Sequence, residues 1–187
     1  MTTHLQAGDL APAFESADPN GTPVSLNAHR GRKLLLAFFR FSACGLCNLR
    51  VQQFIRRYPD WREKGLDVIA VFESPEESLR MIVGKQNTPF PLLADPKAEL
   101  YDLYGVEVSE EKTKATMADP RKESVIAEIE AAGFKLTHEE GSNFERIPAE
   151  FLIDEEGVVC LAHYGNLIFD HLPLETVDRF AAGQPVG

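Results

Sequence analysis

Cysteine is scarce in this chain of 187 residues, with only Cys44, Cys47 and Cys160. Three are too few for a disulfide-stapled secreted scaffold, so a reducing compartment, the cytoplasm by default, is expected. Positive charge is also short. Against 19 Lys and Arg stand 29 Asp and Glu, a formal net charge of −10, and that balance argues against nucleic acid or an anionic membrane as partner. No apolar run reaches the length of a membrane span. The start, Met1-Thr2-Thr3-His4-Leu5-Gln6, has neither the basic opening nor the apolar core of a signal peptide. Like-charge blocks and internal repeats are missing too. A hydrophobic share of 44% beside 26% charged residues suits one soluble globular domain over residues 1–187.

What is present centres on Arg40-Phe41-Ser42-Ala43-Cys44-Gly45-Leu46-Cys47-Asn48-Leu49-Arg50. The apolar run Leu34–Phe39 before it reads as a buried strand. Behind it, Cys47, Val51, Phe54, Ile55 and Tyr58 fall on the one-sided stripe of an amphipathic helix. Two cysteines therefore sit where a strand ends and a helix begins. Unpaired amides and the positive end of the helix dipole stabilise a thiolate there, and Arg40 and Arg50 add charge nearby. The stripe places Cys47 toward the core and predicts that Cys44, at the helix start, stays open to solvent. An exposed attacker with a sheltered partner is what a reversible dithiol needs. Two other readings stand beside redox chemistry. One C-x-x-C is half of a zinc site, although only Cys160 remains to complete it and no His lies close to Cys44. The pair is otherwise inert core filling.

Around this motif the pattern alternates. Pro23–Leu26 and Ala11–Phe14 flank the turn Asp18-Pro19-Asn20-Gly21 and predict a small N-terminal hairpin. Leu66–Phe72 reads as a second central strand. A helix follows from Ser74-Pro75-Glu76-Glu77, with Ser as cap and Leu79, Ile82 and Val83 inward. Pro89–Leu93 is a short extended piece, and Asp95-Pro96 opens a helix with Leu100, Leu103 and Tyr104 that Gly105 closes. Strand and helix in this rhythm imply parallel strands with crossover helices. Glu150–Asp154 and Val158–Tyr164 then form an antiparallel hairpin, and Pro173 starts a last helix with Leu174, Val177 and Phe180 inward. The polar stretch 106–147 breaks the rhythm and reads as an insertion with one helix, Pro120–Ala132, capped by Asp119.

These marks together are recognisable. In order they are Gly8-Asp9 with Pro12 and Phe14, Gly21, Leu26 and Gly31, the strand with its C-x-x-C, Phe90–Pro96, Leu100-Tyr101, Tyr104-Gly105-Val106, and Pro148–Asp154 with Gly157. The chain resembles the peroxiredoxin-like (AhpC/TSA, redoxin) branch of the thioredoxin fold. That resemblance implies an α/β domain with a central mixed sheet flanked by helices, and thiol-based reduction of peroxides or disulfides without metal or organic cofactor. It implies an external thiol or dithiol reductant, a protein disulfide or hydroperoxide as substrate, and leaves room for a homodimer. Two departures stand out. Cys47 occupies the register of the peroxidatic cysteine, so Cys44 stands where the family carries threonine and Arg40 where it carries proline. Pro148 replaces the arginine that precedes the Phe-Leu-Ile-Asp strand. Both changes move the site toward thioredoxin and predict slow peroxide turnover.

Catalysis is accordingly expected from Cys44 as attacker and Cys47 as resolver, with substrate contacts from Arg40, Ile147 and Pro148. The resemblance implies a cis bond before Pro148, which would turn the Ile147 carbonyl toward the sulfurs; an ordinary trans proline is the plain alternative. Cys160 reads as a core cysteine, and His163 and His171 as structural. Glu73 is either a buried proton acceptor or a surface residue, and Asn48 and Trp61 read as packing. The competing class is a non-catalytic module that senses oxidation or binds metal, with the insertion as its partner surface and Glu123, Glu128 and Glu130 inviting a basic partner.

Overall fold

Strand β3 (Lys33–Phe38) alternates its side chains between two apolar layers, and the rest of the molecule is arranged about it. In the computed structural model, which describes residues 4–186, Leu35 and Ala37 enter one core and Leu34, Leu36 and Phe38 the other. Both faces are covered, so the strand is apolar without interruption from Leu34 on. Its neighbours are β4 (Leu66–Phe72), parallel, and β6 (Ala149–Ile153), antiparallel. Outside these lie β5 (Leu92–Ala94) and β7 (Val159–Tyr164), giving the order β5-β4-β3-β6-β7. This is the expected mixed sheet. Before β3, β1 (Glu15–Ala17) and β2 (Pro23–Ser25) form the N-terminal hairpin, whose first strand starts later than the apolar pattern suggested.

Helix α1 (Gly45–Glu63) packs on one face through Val51, Phe54 and Trp61, all fully buried. Burying such a side chain contributes roughly 1.5–3 kcal/mol each. The Trp61 indole is more than packing, because its Nε1 donates to Asp178 at 2.7 Å. On the same side lies α6 (Leu174–Ala181), which turns Val177 and Phe180 inward. The opposite core holds the rings of Tyr101, from α3 (Glu99–Leu103), and of Tyr104 just after it. Asp95 caps α3 by accepting the amides of Glu99 (3.0 Å) and Leu100 (2.7 Å).

Several local expectations fail for identifiable reasons. Helix α2 (Glu76–Ile82) is not capped by Ser74, whose hydroxyl is held elsewhere, and it leaves Ile82 exposed. Leu103 is likewise exposed. The insertion 106–147 holds two helices rather than one. Helix α4 (Glu110–Ala118) has almost no apolar stripe; Ser109 caps it, and Thr113 and Thr116 bond back to carbonyls of the preceding turn. Helix α5 (Lys122–Ala131) begins later than predicted, since Asp119 binds Arg121 instead of capping. The Ile147–Pro148 bond is trans, as is every peptide bond among the described residues.

One feature of the sheet had no sequence forecast. Glu150 on β6 is 1% exposed, and four donors meet its carboxylate. Arg50 supplies Nε at 2.9 Å and Nη2 at 3.0 Å, His171 Nδ1 lies at 3.1 Å, and the Leu172 amide at 2.7 Å. Burial alone would raise this carboxyl, yet the Arg50 and His171 charges hold it far below the usual range. Stability from a depressed carboxyl is present above about pH 4.3, its unfolded value, and is lost as pH falls toward the native one. Removing one partner of such a pair leaves a buried charge uncompensated. Arg50→Ala should therefore cost about 3–5 kcal/mol in urea unfolding at neutral pH. A loss below about 1 kcal/mol would show that Glu150 does not depend on Arg50.

Candidate active site

The end of β3 and the start of α1 set the two redox candidates within one helical turn. Cys44 is the N-cap residue, and its sulfur accepts the Cys47 amide at 3.3 Å. The loop before it is fixed by Asn48, whose side-chain amide donates to the carbonyls of Ser42 (2.7 Å) and Cys44 (2.9 Å). Asn48 was thus no mere packing residue. Its position one turn into α1, facing its own cap, is the signal that reveals this role.

Cys44 is not open to solvent as the stripe suggested. It is 3% exposed and Cys47 2%. The cover comes from the inserted stretch, which runs across the helix tip after α5. Lys135 places its carbonyl over Gly45, Thr137 Oγ1 donates to the Ala43 carbonyl at 2.7 Å, and Glu139 binds a cluster of serines. Ser42 and Ser74 donate to its Oε2 at 2.8 and 2.9 Å, and Ser78 to its Oε1. Burial raises the Glu139 carboxyl, but these hydroxyls outweigh it and hold it below its ordinary value.

Inequality between the sulfurs survives in their acidity. Burial pushes the Cys44 thiol up, but the hydrogen bond from Cys47 and the Arg40 charge bring it down from an ordinary 9 to about 7. Burial and the adjoining Cys44 push Cys47 well above the ordinary value. The geometry agrees, because the Cys47 amide and Arg40 Nη1, at 3.8 Å, both point at the Cys44 sulfur. Arg40 is 4% exposed and lies between the rings of Phe41 and Phe144, at 5.0 and 4.8 Å. Its Nη2 donates to the Phe144 carbonyl, and its Nε has no protein partner. Arg50, by contrast, is committed to Glu150.

Beside Cys44 opens a cavity of about 290 Å³. Its walls are mainly apolar, with Leu46 from α1, Val125, Ile126 and Ile129 from α5, and Leu136 from the covering strap. Neither Ile147 nor Pro148 reaches this cavity. The Ile147 amide donates to Glu107 and the Pro148 carbonyl accepts from Gly165. The trans bond therefore corrects the cis expectation, and the neighbouring backbone groups are engaged within the fold. Glu73 serves neither of its forecast roles, since it pairs with buried Arg146 at 2.6 Å. Cys160 is half-buried against the core, and burial raises its thiol. His163 meets Asp170 at 3.3 Å, a structural pairing.

The sequence profile of the AhpC/TSA family matches residues 7–162. The chain belongs to that family. Among curated members, it is 34% identical over 104 residues to Rv2521 of Mycobacterium tuberculosis, provisionally named a peroxiredoxin. It is 26% identical over 102 residues to peroxiredoxin Bcp of Escherichia coli. These matches cover 56% and 54% of this chain and 66% and 65% of the two relatives, just under two thirds of their length. The fold also superposes on solved structures. Peroxidoxin BcpB of M. tuberculosis aligns with TM-score 0.66 at 15% identity, over 96% of each chain. A Chlorobium tepidum protein provisionally titled the thiol:disulfide interchange protein DsbE aligns with TM-score 0.63 at 26% identity, over 95% of this chain and 98% of that one.

Two outcomes follow from the site. Iodoacetamide labelling of Cys44, followed by mass spectrometry, should rise with pH through a midpoint near 7. Arg40→Met should raise that midpoint by about one pH unit, since it removes the stabilising charge; an unmoved midpoint would detach Arg40 from the thiolate. A Cβ on Gly45 would strike the Lys135 carbonyl and come within 2.9 Å of Ile129. Gly45→Ala should accordingly cost about 1–3 kcal/mol in urea unfolding, and a neutral result would place the strap elsewhere.

Proposed function

We propose that the chain is a dithiol oxidoreductase in which Cys44 attacks and Cys47 resolves. The observation that carries this reading is the convergence of the Cys47 amide and Arg40 on one sulfur, at 3.3 and 3.8 Å. They favour a thiolate at Cys44 near neutral pH and leave Cys47 as the thiol. With a hydroperoxide, the Cys44 thiolate attacks the terminal oxygen and the O–O bond breaks. The sulfur is oxidised to a sulfenic acid, and the departing alkoxide takes a proton to become an alcohol. Cys47 then displaces water from the sulfenic sulfur, losing its thiol proton, and a Cys44–Cys47 disulfide results. With a disulfide substrate, Cys44 forms the mixed disulfide, and Cys47 releases the reduced substrate.

An external dithiol restores both thiols by two exchanges, becoming a disulfide itself. A reducing cytoplasm suits the three free cysteines. Whether as a homodimer or alone, the machinery is complete, because every group named comes from one chain. The names of the relatives, a peroxiredoxin and a provisionally titled thiol:disulfide interchange protein, support both substrate classes. Among the described residues, no group of three or more His, Cys, Asp or Glu side chains is placed to hold a metal ion.

Trapping decides the order of attack. Cys47→Ser, mixed with a disulfide substrate, should accumulate a stable mixed disulfide through Cys44, whereas Cys44→Ser should accumulate none. A mixed disulfide found only through Cys47 would reverse the assignment.

A further inference from the structure

The strap over the redox pair has no part in the chemistry just described, yet it is bound to the loop that holds Cys44 on every side. Thr137 occupies the Ala43 carbonyl, and the Lys135 carbonyl presses on Gly45. Glu139 gathers Ser42, Ser74 and Ser78, which come from the C-x-x-C loop, the end of β4 and α2. At its far end, Phe144 caps Arg40 by ring and carbonyl. A protein disulfide can exchange with Cys44 only if the polypeptide flanking it lies close against the helix tip. That surface is already covered, and the Ala43 carbonyl within it already has its donor. The cavity is a different route. It reaches Cys44 between the strap and α5 and, at about 290 Å³, holds a small organic molecule but no folded partner.

We propose that residues 134–144 act as a selectivity roof: they exclude protein disulfides from Cys44 while leaving it open to small, largely apolar molecules that carry a disulfide or O–O bond. This rests on the dithiol reading above and adds the substrate class. Glu139 and Thr137 are its positioning residues. Neither supplies a group to bond making, and Glu139 does not line the cavity. Protein disulfides then react only through the fraction of molecules whose roof is raised, so their apparent rate is reduced by that fraction.

The test uses the reduced chain, freed of reductant and mixed separately with oxidised insulin, hydroxyethyl disulfide and cumene hydroperoxide. Oxidation of Cys44 and Cys47 is followed by alkylation and mass spectrometry. One variant carries a Gly-Ser stretch of equal length in place of residues 134–142; a milder one combines Glu139→Ala with Thr137→Val. Relative to hydroxyethyl disulfide, oxidation of Cys44 and Cys47 by insulin should be faster by about tenfold or more in the linker variant, and shift in the same direction in the milder one. A ratio within about twofold of wild type in both variants overturns the proposal. So does a wild-type chain that insulin oxidises as fast as the small disulfide. A wild-type chain inert to hydroxyethyl disulfide and cumene hydroperoxide alike overturns the dithiol reading itself, and the roof's selectivity with it.

Discussion

A sulfur atom does the work of a helix cap in this protein, and the site depends on that substitution. N-caps are usually oxygens, which accept a first-turn amide and nothing else. Here the acceptor is the Cys44 sulfur, so the amide that satisfies the start of α1 is also the one that favours a thiolate. Any shift of α1 against β3 changes local stability and thiol acidity together. That explains the density of supports around so small a loop. Asn48 ties it from within the helix, Glu139 and its serines from outside, and Gly45 lets the covering chain approach.

Burial makes this arrangement effective. In water, an arginine near a thiolate would be screened and solvated; in a dry pocket the same charge acts with less screening. Arg40 is held for that purpose between two aromatic rings, where its planar guanidinium is stabilised without being neutralised by a carboxylate. Arg50 shows the alternative fate of an arginine on the same segment. Its charge is cancelled by Glu150 and serves to join α1 to the sheet.

Much of this was legible in the residues. The alternation of β3, the apolar runs of β4 and β6, the stripe of α1 and the Cys44-Gly45-Leu46-Cys47 motif each follow local rules, and local rules are what a sequence displays. What escaped was long-range. Nothing near Arg50 announces that its partner lies at Glu150, a hundred residues away. The stripe gave the facing of Cys47 correctly but made Cys44 exposed, since the cover over it arrives from an insertion with little apolar pattern of its own. Helix α4 was missed for the same reason, because capping and threonine back-bonding hold it rather than an apolar face. The trans Pro148 shows the limit of resemblance, since the cis bond it implied is not formed.

The contact between Cys44 and Cys47 bears on how long such a protein lasts. Where two reacting thiols lie far apart, a helix has to unwind before they meet, and the singly oxidised sulfur waits for it. Here the Cys47 amide already rests on the Cys44 sulfur at 3.3 Å, so in the proposed cycle the sulfenic stage ends without any change of secondary structure. A second oxidant molecule then meets a closed disulfide rather than a half-oxidised sulfur, and the irreversible sulfinic rung is bypassed. The proposed cycle thereby shields Cys44 from excess hydroperoxide.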